Sequence, residues 1–127
     1  MNDLLPKNAN VIWVYPKVLK DRLHFFEPRQ GFEKAYAGIL EPVVHDAREV
    51  SLQEISGFLV PALGFDRKGV RLGKGKGYYD RALKDFAGEL VGVSFSSLIV
   101  EELPEDPWDV RMHWLASEEG VHKVKSS

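Results

Sequence analysis

Three short runs of apolar residues stand out in this chain, and each run predicts a buried β-strand. The runs are rich in β-branched and aromatic residues and are shorter than buried helices, which favours strands. Trp13 and Phe95 belong to two of these runs, and we expect both side chains in the core. The runs are V-I-W-V-Y at 11–15, stopped by Pro16, F-L-V-P-A at 58–62 and L-V-G-V-S-F at 90–95.

Helical spacing appears after Gly77, where Tyr78, Ala82 and Phe86 recur at intervals of four, with Tyr79 and Leu83 on an adjoining row. We predict a helix over 77–86, stopped by Gly88. Strands that alternate with helices predict a single α/β domain, 1–127, with a mostly parallel sheet and flanking helices. Weaker patterns predict strands at 23–26 and 113–116, extended chain at 39–44, an ambiguous helical turn at 32–38, a short helix at 51–55 and a frayed tail at 118–127.

Composition narrows the class of protein. The 127 residues are 44% hydrophobic and 28% charged, as in an ordinary globular domain. A net charge of −2 argues against a general nucleic-acid binder. The chain has no cysteine, which excludes disulfides and thiolate metal sites, and no apolar run long enough to span a membrane. No signal-peptide pattern opens the sequence, so we expect a cytoplasmic protein without nucleic-acid or membrane partners.

The segment after the strand at 58–62 carries the clearest chemistry, because glycines and cations alternate in it. Glycine allows close backbone approach to a ligand, and a following helix start adds unpaired N–H groups, so the pattern predicts a phosphate-binding loop. The alternative is a tight connection without a ligand. The residues are Gly69, Arg71, Gly73, Lys74, Gly75, Lys76 and Gly77.

The same segment resembles the signature of the 5-formyltetrahydrofolate cyclo-ligase family, a strand ending in V-P followed by F-D and then G-x-R-L-G-x-G-x-G-Y-Y-D. These letters stand here at Val60-Pro61, Phe65-Asp66 and 69–80. Flanking segments resemble the family too, so the likeness covers about 10–117. They are Tyr15-Pro16-Lys17, Gly38-Ile39-Leu40-Glu41-Pro42, Leu103-Pro104 and Trp108-Asp109-Val110.

The resemblance implies a Rossmann-like fold and an enzyme that uses ATP and Mg²⁺. The family converts 5-formyltetrahydrofolate to 5,10-methenyltetrahydrofolate, with release of ADP and phosphate. By this likeness, Arg71 and Lys76 would neutralise the transferred phosphoryl group, and Asp80 would hold Mg²⁺. Glu41 and Tyr79 would contact the folate. The nucleotide would contact Arg71, Gly73, Lys74, Gly75, Lys76, Gly77, Tyr78 and Tyr79.

Alternatives stay open at several of these residues. Asp80 could instead be a carboxylate that stabilises the first turn of a helix, and Glu41 could be a surface residue. Asp66 could be a turn residue whose side chain accepts hydrogen bonds from its own backbone. Asp109 reads as structural. Of the two tyrosines, Tyr79 is the stronger candidate for ligand contact, and the other should face the core.

The likeness begins only near residue 10, and the family's first helix and strand have no counterpart in this sequence. We therefore expect an N-terminally shortened member, which is either a short homologue, a piece of a longer or split protein, or a chain completed by another subunit. An exposed sheet edge or apolar face would then favour a homo-oligomer. The alternative function is a nucleotide- or folate-binding homologue without catalysis.

Overall fold

The computed structural model describes residues 11–34, 38, 40–72, 77–107 and 109–124. The chain forms two compact units, Met1–Ser51 and Leu52–Ser127. The single domain expected over 1–127 stays a prediction.

The first unit is built from antiparallel strands. They are β1 (Tyr15–Leu19), β2 (Arg22–Glu27), β3 (Phe32–Lys34), β4 (Leu40–Pro42) and β5 (Arg48–Val50). β2 lies between β1 and β5, and β3 pairs with β4. Lys20 and Asp21 both have positive φ, as a two-residue hairpin between β1 and β2 requires. Phe25, Phe26 and Val50 are buried in this unit.

The second unit combines two sheets and a short helix. Its main sheet has the order β12-β11-β9-β6, and its smaller sheet has the order β10-β7-β8. The elements are a 3-10 turn (Leu52–Glu54), β6 (Gly57–Pro61), β7 (Gly64–Asp66), β8 (Arg71–Leu72), α1 (Tyr78–Leu83), β9 (Glu89–Val93), a second 3-10 turn (Ser96–Leu98), β10 (Ile99–Val100), β11 (Trp114–Ser117) and β12 (Gly120–Lys123).

Parallel pairing is confined to the second unit among the described residues. β9 pairs in parallel with β6 and β11, and β10 pairs in parallel with β7. The core of this unit lies on one face of the main sheet, under α1 and β7. Its buried members are Val60, Phe65, Leu83, Leu90, Met112 and Leu115. The mostly parallel sheet expected from the sequence thus corresponds to β6, β9 and β11, whereas the first unit is antiparallel.

Several predicted elements are confirmed, and others are wrong. The strands predicted at 23–26, 58–62 and 90–95 are β2, β6 and β9. Extended chain within 39–44 is β4, and the predicted short helix is the 3-10 turn at Leu52–Glu54. The ambiguous segment at 32–38 begins as strand β3 rather than as a helical turn.

The strand predicted at 11–15 is wrong, because β1 begins at Tyr15 and runs through Pro16. Among the described strands, β1 pairs with β2 alone and so lies at an edge, and an edge tolerates the missing N–H of proline. Val11 and Ile12 are exposed, and Trp13 is only partly buried.

The frayed tail predicted at 118–127 is also wrong for its first half. β12 forms a hairpin with β11, which is therefore not the last strand, and Val124 packs against the core. Residues 125–127 lie outside the described part of the chain.

The predicted helix is shorter than 77–86 and faces the core differently. α1 ends at Leu83, so Gly88 is not its stop. Tyr79 and Leu83, from the adjoining row, pack toward the core together with Phe86.

Candidate functional site

The candidate site lies in the second unit, at the edge where the parallel strands β6, β9 and β11 end. Ligands of α/β sheets bind outside the carboxyl ends of the strands. Arg71 reaches this edge because its Nε donates a hydrogen bond to the backbone oxygen of Pro61, the last residue of β6, at 3.0 Å. β8 carries Arg71 there by pairing with β7, which follows β6 in the chain.

Arg71 also contacts Tyr79 of α1. Its guanidinium carbon lies 4.7 Å from the centre of the Tyr79 ring, within the range of a cation–π contact. Burial lowers the pKa of Arg71 from its usual value, and the negative charge of Asp80, followed by the Tyr79 hydroxyl, opposes that shift. Burial likewise raises the pKa of Tyr79, and Arg71 opposes this rise. Arg71 is thus a partly dehydrated cation, which favours contact with an anion.

Asp80 lies on α1 near this cation, and it also holds a neighbouring loop. Its Oδ1 accepts a hydrogen bond from the backbone N–H of Val110 at 3.3 Å. Within the described residues, no three His, Cys, Asp or Glu side chains form a metal-binding group. Mg²⁺ commonly binds through one or two carboxylates together with phosphate oxygens and water. A single carboxylate beside a predicted phosphate-binding loop fits that mode.

Tyr78 and Gly77 lie at the start of α1. Gly77 precedes the helix with a φ of 69°, a left-handed conformation that favours glycine. The Arg81 guanidinium lies 5.3 Å from the Tyr78 ring centre. Because Tyr79 packs against the core and Arg71, the expectation that the other tyrosine would face the core is wrong. Gly73, Lys74, Gly75 and Lys76 lie outside the described residues.

Asp66 is a structural residue, in agreement with the turn role that the sequence predicts for it. It is 1% exposed, and its Oδ1 accepts hydrogen bonds from the N–H groups of Lys68 and Val70, both at 2.9 Å. Its Oδ2 accepts a bond from Leu103 N–H at 2.9 Å. The carboxylate therefore shapes the turn before β8 and holds the loop at 103. Asp109 is structural as well, since its Oδ2 accepts a bond from Asp106 N–H at 2.8 Å.

Gly69, the first glycine of the predicted loop, allows the backbone at Met112 to pack closely against it. Its φ is +86°, and a Cβ there would lie 2.4 Å from the backbone oxygen of Met112. The glycine lets segment 110–112 approach the turn, so its place in the glycine series has a structural cause.

A cavity of about 450 Å³ opens beside Asp66, on the side of the acidic loop. Three charged residues that line the cavity are already paired. Lys68 Nζ lies 3.9 Å from Glu102, and both oxygens of Glu105 accept hydrogen bonds from Arg111. Because these charges are already paired, we do not assign the ligand to this cavity.

Glu41 lies in the first unit, on β4. Its Oε1 is 3.7 Å from Lys17 Nζ, which also contacts Glu33 Oε1 at 3.1 Å. Lys17 belongs to the Tyr15-Pro16-Lys17 segment of the sequence, so two segments that resemble the family meet here through an ion pair.

Phe95 is a residue that sequence reasoning misplaced. It was expected in the core, yet it is 69% exposed. β9 ends at Val93, so Phe95 lies on the connection after the strand rather than within it.

Comparison with known proteins decides the family. A sequence model described as the 5-formyltetrahydrofolate cyclo-ligase family matches residues 1–117. The chain belongs to this family. A 5-formyltetrahydrofolate cyclo-ligase of Haemophilus influenzae is 38% identical over 76 residues, which are 58% of this chain and 41% of that protein. A mitochondrial 5-formyltetrahydrofolate cyclo-ligase of Arabidopsis thaliana is 37% identical over 134 residues, covering 91% of this chain and 48% of that protein.

Solved structures of the family share the fold. The NMR structure of Aquifex aeolicus 5,10-methenyltetrahydrofolate synthetase has a TM-score of 0.73 and 34% sequence identity, and the match covers 90% of this chain and 59% of that one. A synthetase from Mycoplasma pneumoniae has a TM-score of 0.63 and 30% identity, over 80% of this chain and 53% of the other. The fold is therefore α/β and matches the synthetase structures. The chain spans about half the length of the curated relatives it matches.

No helix in the described ranges is both long enough and apolar enough to cross a membrane.

Proposed function

We propose that this chain catalyses the ATP-dependent cyclisation of 5-formyltetrahydrofolate to 5,10-methenyltetrahydrofolate, with release of ADP and phosphate. The observation that carries the proposal is the family match over residues 1–117. In this reaction the formyl oxygen takes the γ-phosphoryl group of ATP and ADP leaves. The neighbouring amine then attacks the formyl carbon, the ring closes and phosphate leaves.

A reaction of this kind requires positioning and charge neutralisation more than a protein nucleophile. Arg71 supports the proposal because it brings a partly buried cation to the carboxyl end of β6. Its planar guanidinium suits two-point contact with phosphate oxygens. In this proposal Arg71 and Lys76 stabilise the negative charge that moves between ATP and the formyl group.

The remaining contacts to the nucleotide come from the loop and the start of α1. We propose that N–H groups of Gly73, Gly75 and Gly77 surround the phosphates, with Lys74 beside them. Gly77 supports this, because it has a left-handed φ at the start of α1 and no Cβ that would block close approach of a phosphate. Tyr78 and Tyr79 would contact the nucleotide through their rings.

Asp80 is the residue proposed to hold Mg²⁺. Bound there, the ion would neutralise phosphate charge and fix the orientation of the triphosphate. The Asp80 carboxylate is near the positive charge of Arg71, so both groups would act on the same anionic ligand.

Glu41 and Tyr79 are proposed to contact the folate. The Glu41 carboxylate can accept hydrogen bonds from ring N–H groups, and Lys17 holds it in place. We also infer a Rossmann-like arrangement of the full sheet and a homo-oligomer, and the cytoplasmic location stays a prediction.

Formation of ADP tests this proposal, with 5-formyltetrahydrofolate, ATP and Mg²⁺ present and a folate-free control. We expect ADP only when the folate is present. Arg71→Ala and Lys76→Ala should each weaken ATP binding by about 1–3 kcal/mol, as the loss of a charge-assisted hydrogen bond does.

Arg67→Ala is the matched control, because Arg67 is an exposed cation of the same unit that pairs with Glu101 at 2.8 Å. It should bind ATP like the wild-type protein. Equal ATP affinity in Arg71→Ala, Lys76→Ala and wild type would reject the site. ATP binding without any folate-dependent ADP would favour the non-catalytic binding protein.

A further inference from the structure

An exposed aromatic residue, Phe95, lies two residues beyond the end of β9. It lies at the same edge of the main sheet as Arg71, because β6, β9 and β11 are parallel and end together. With 69% of its surface exposed, Phe95 is the most exposed of the large hydrophobic residues that the structure describes. Such a residue at the ligand-binding edge of an α/β sheet is a candidate for direct ligand contact.

The backbone on both sides of Phe95 is held by hydrogen bonds. Ser94 N–H donates to the Ala116 oxygen at 3.1 Å, and the Phe95 oxygen accepts a bond from Leu98 N–H at 3.0 Å. The Glu118 carboxylate accepts bonds from Ser96 N–H at 2.8 Å and from the Ser96 hydroxyl at 2.6 Å. The ring is therefore exposed on an ordered segment, so ligand contact would order little additional chain.

The connection after β6 runs beside the connection that carries Phe95. A Cβ on Gly64, the first residue of β7, would lie 2.8 Å from the oxygen of Leu98, the last residue of the 3-10 turn, so the two connections end in contact. Leu63 and Leu98, one on each connection, are both exposed. Apolar surface thus adjoins the edge at which Arg71 presents its cation. A ligand with a flat ring and an anionic group would match this combination.

We propose that Phe95 stacks on the planar heteroaromatic ring of a ligand bound at this edge. The inference rests on the proposed function, since ATP and 5-formyltetrahydrofolate both join such a ring to negative charge. The ring is adenine in one and the pyrimidinone ring of the reduced pterin in the other, and each offers a flat π surface to an aromatic side chain.

The test is the dissociation constant of three ligands, measured by calorimetry: ATP, 5-formyltetrahydrofolate and inorganic tripolyphosphate, which has no ring. Phe95→Ala should raise the dissociation constant of one ring-bearing ligand about tenfold, as the loss of a ring stack does. It should leave tripolyphosphate binding unchanged, whereas Arg71→Ala should weaken it. Phe95→Tyr keeps the ring and should restore the affinity. Ile12→Ala, an exposed apolar residue of the first unit, is the control and should have no effect.

The outcomes separate this inference from the proposed function. If Phe95→Ala raises the dissociation constant of ATP, Phe95 stacks on the adenine. If it raises the dissociation constant of 5-formyltetrahydrofolate, Phe95 stacks on the pterin. An active enzyme whose Phe95→Ala variant binds both ligands like wild type rejects the inference and keeps the function. An inactive protein whose Phe95→Ala variant loses affinity for a ring ligand keeps the inference and rejects the function. A protein that binds neither ring ligand rejects both.

Discussion

At the residue scale, Asp66 stabilises the turn that leads to Arg71. Asp66→Asn would place an NH₂ group where the buried carboxylate accepts backbone N–H groups, leaving at least one donor unpaired. We expect a loss of about 2–3 kcal/mol in the free energy of unfolding, measured in urea. Asp106→Asn, on the exposed acidic loop, is the control and should change stability by less than about 0.5 kcal/mol. Equal stability of both variants would contradict the structural role of Asp66.

The hydrogen bonds of Glu118 predict that the stability of the protein depends on pH. Its hydrogen bonds with the side chain and then the backbone of Ser96 hold its pKa below the usual value. The folded-state pKa is thus lower than the unfolded-state value, so the stabilisation is complete above the unfolded pKa of about 4.3 and is lost as the pH falls through the folded value. Wild type should therefore be more stable than Glu118→Gln at neutral pH, and the difference should vanish in acid. A difference that does not depend on pH would refute this.

Residue roles could be predicted where a motif or a local rule carries them. The turn role of Asp66 follows from its own sequence neighbours, and the phosphate-loop pattern singled out Arg71. The stacking of Arg71 on Tyr79 could not be predicted, because it depends on how β8 and α1 meet in three dimensions. Phe95 was misplaced because an apolar run was treated as one buried strand.

At the element scale, the close approach of two segments depends on Gly69. Gly69→Ala adds a left-handed strain and a contact of 2.4 Å with the Met112 oxygen, which should cost about 2–4 kcal/mol. Gly31→Ala has a similar φ of +79° but open space around it, so it reports the strain alone. Urea unfolding should show a larger loss for Gly69→Ala, and equal losses would disprove the packing role.

Strands that contribute buried residues to the core were predicted better than exposed strands. β6 and β9 follow from their apolar runs because Val60 and Leu90 are buried in the core, although β6 is the last strand of its sheet. β1 and β12 were mispredicted since one contains a proline and the other is polar and exposed, and only tertiary pairing with β2 and β11 makes them strands.

At the scale of the whole molecule, the face of the main sheet opposite the core is apolar. Leu59, Val93 and Val121 lie there at 56%, 41% and 62% exposure, and cross-strand pairing places Val93 and Val121 beside Ala116. Parallel strands are usually covered on both faces, so this surface supports the inferred homo-oligomer. We expect self-association at micromolar concentration, weakened by Leu59→Glu with Val121→Glu. His122→Glu, an exposed change on β12, is the control because His122 pairs with the core-facing Leu115 and so lies on the other face. A wild-type monomer in sedimentation would contradict the inference.

The family and the coarse fold could be predicted because the signature at 60–80 is long and local. The two-unit organisation and the antiparallel first unit could not, because they depend on contacts between distant segments rather than on local pattern.

The central claim is that this chain uses ATP to close the ring of 5-formyltetrahydrofolate. The most direct measurement is the absorbance of the methenyl product, followed with 5-formyltetrahydrofolate, ATP and Mg²⁺, beside a sample without ATP and a sample of Arg71→Ala. We predict a rise with wild type and ATP, none without ATP and a slower rise with Arg71→Ala. A flat trace with wild-type protein that binds ATP would contradict the claim.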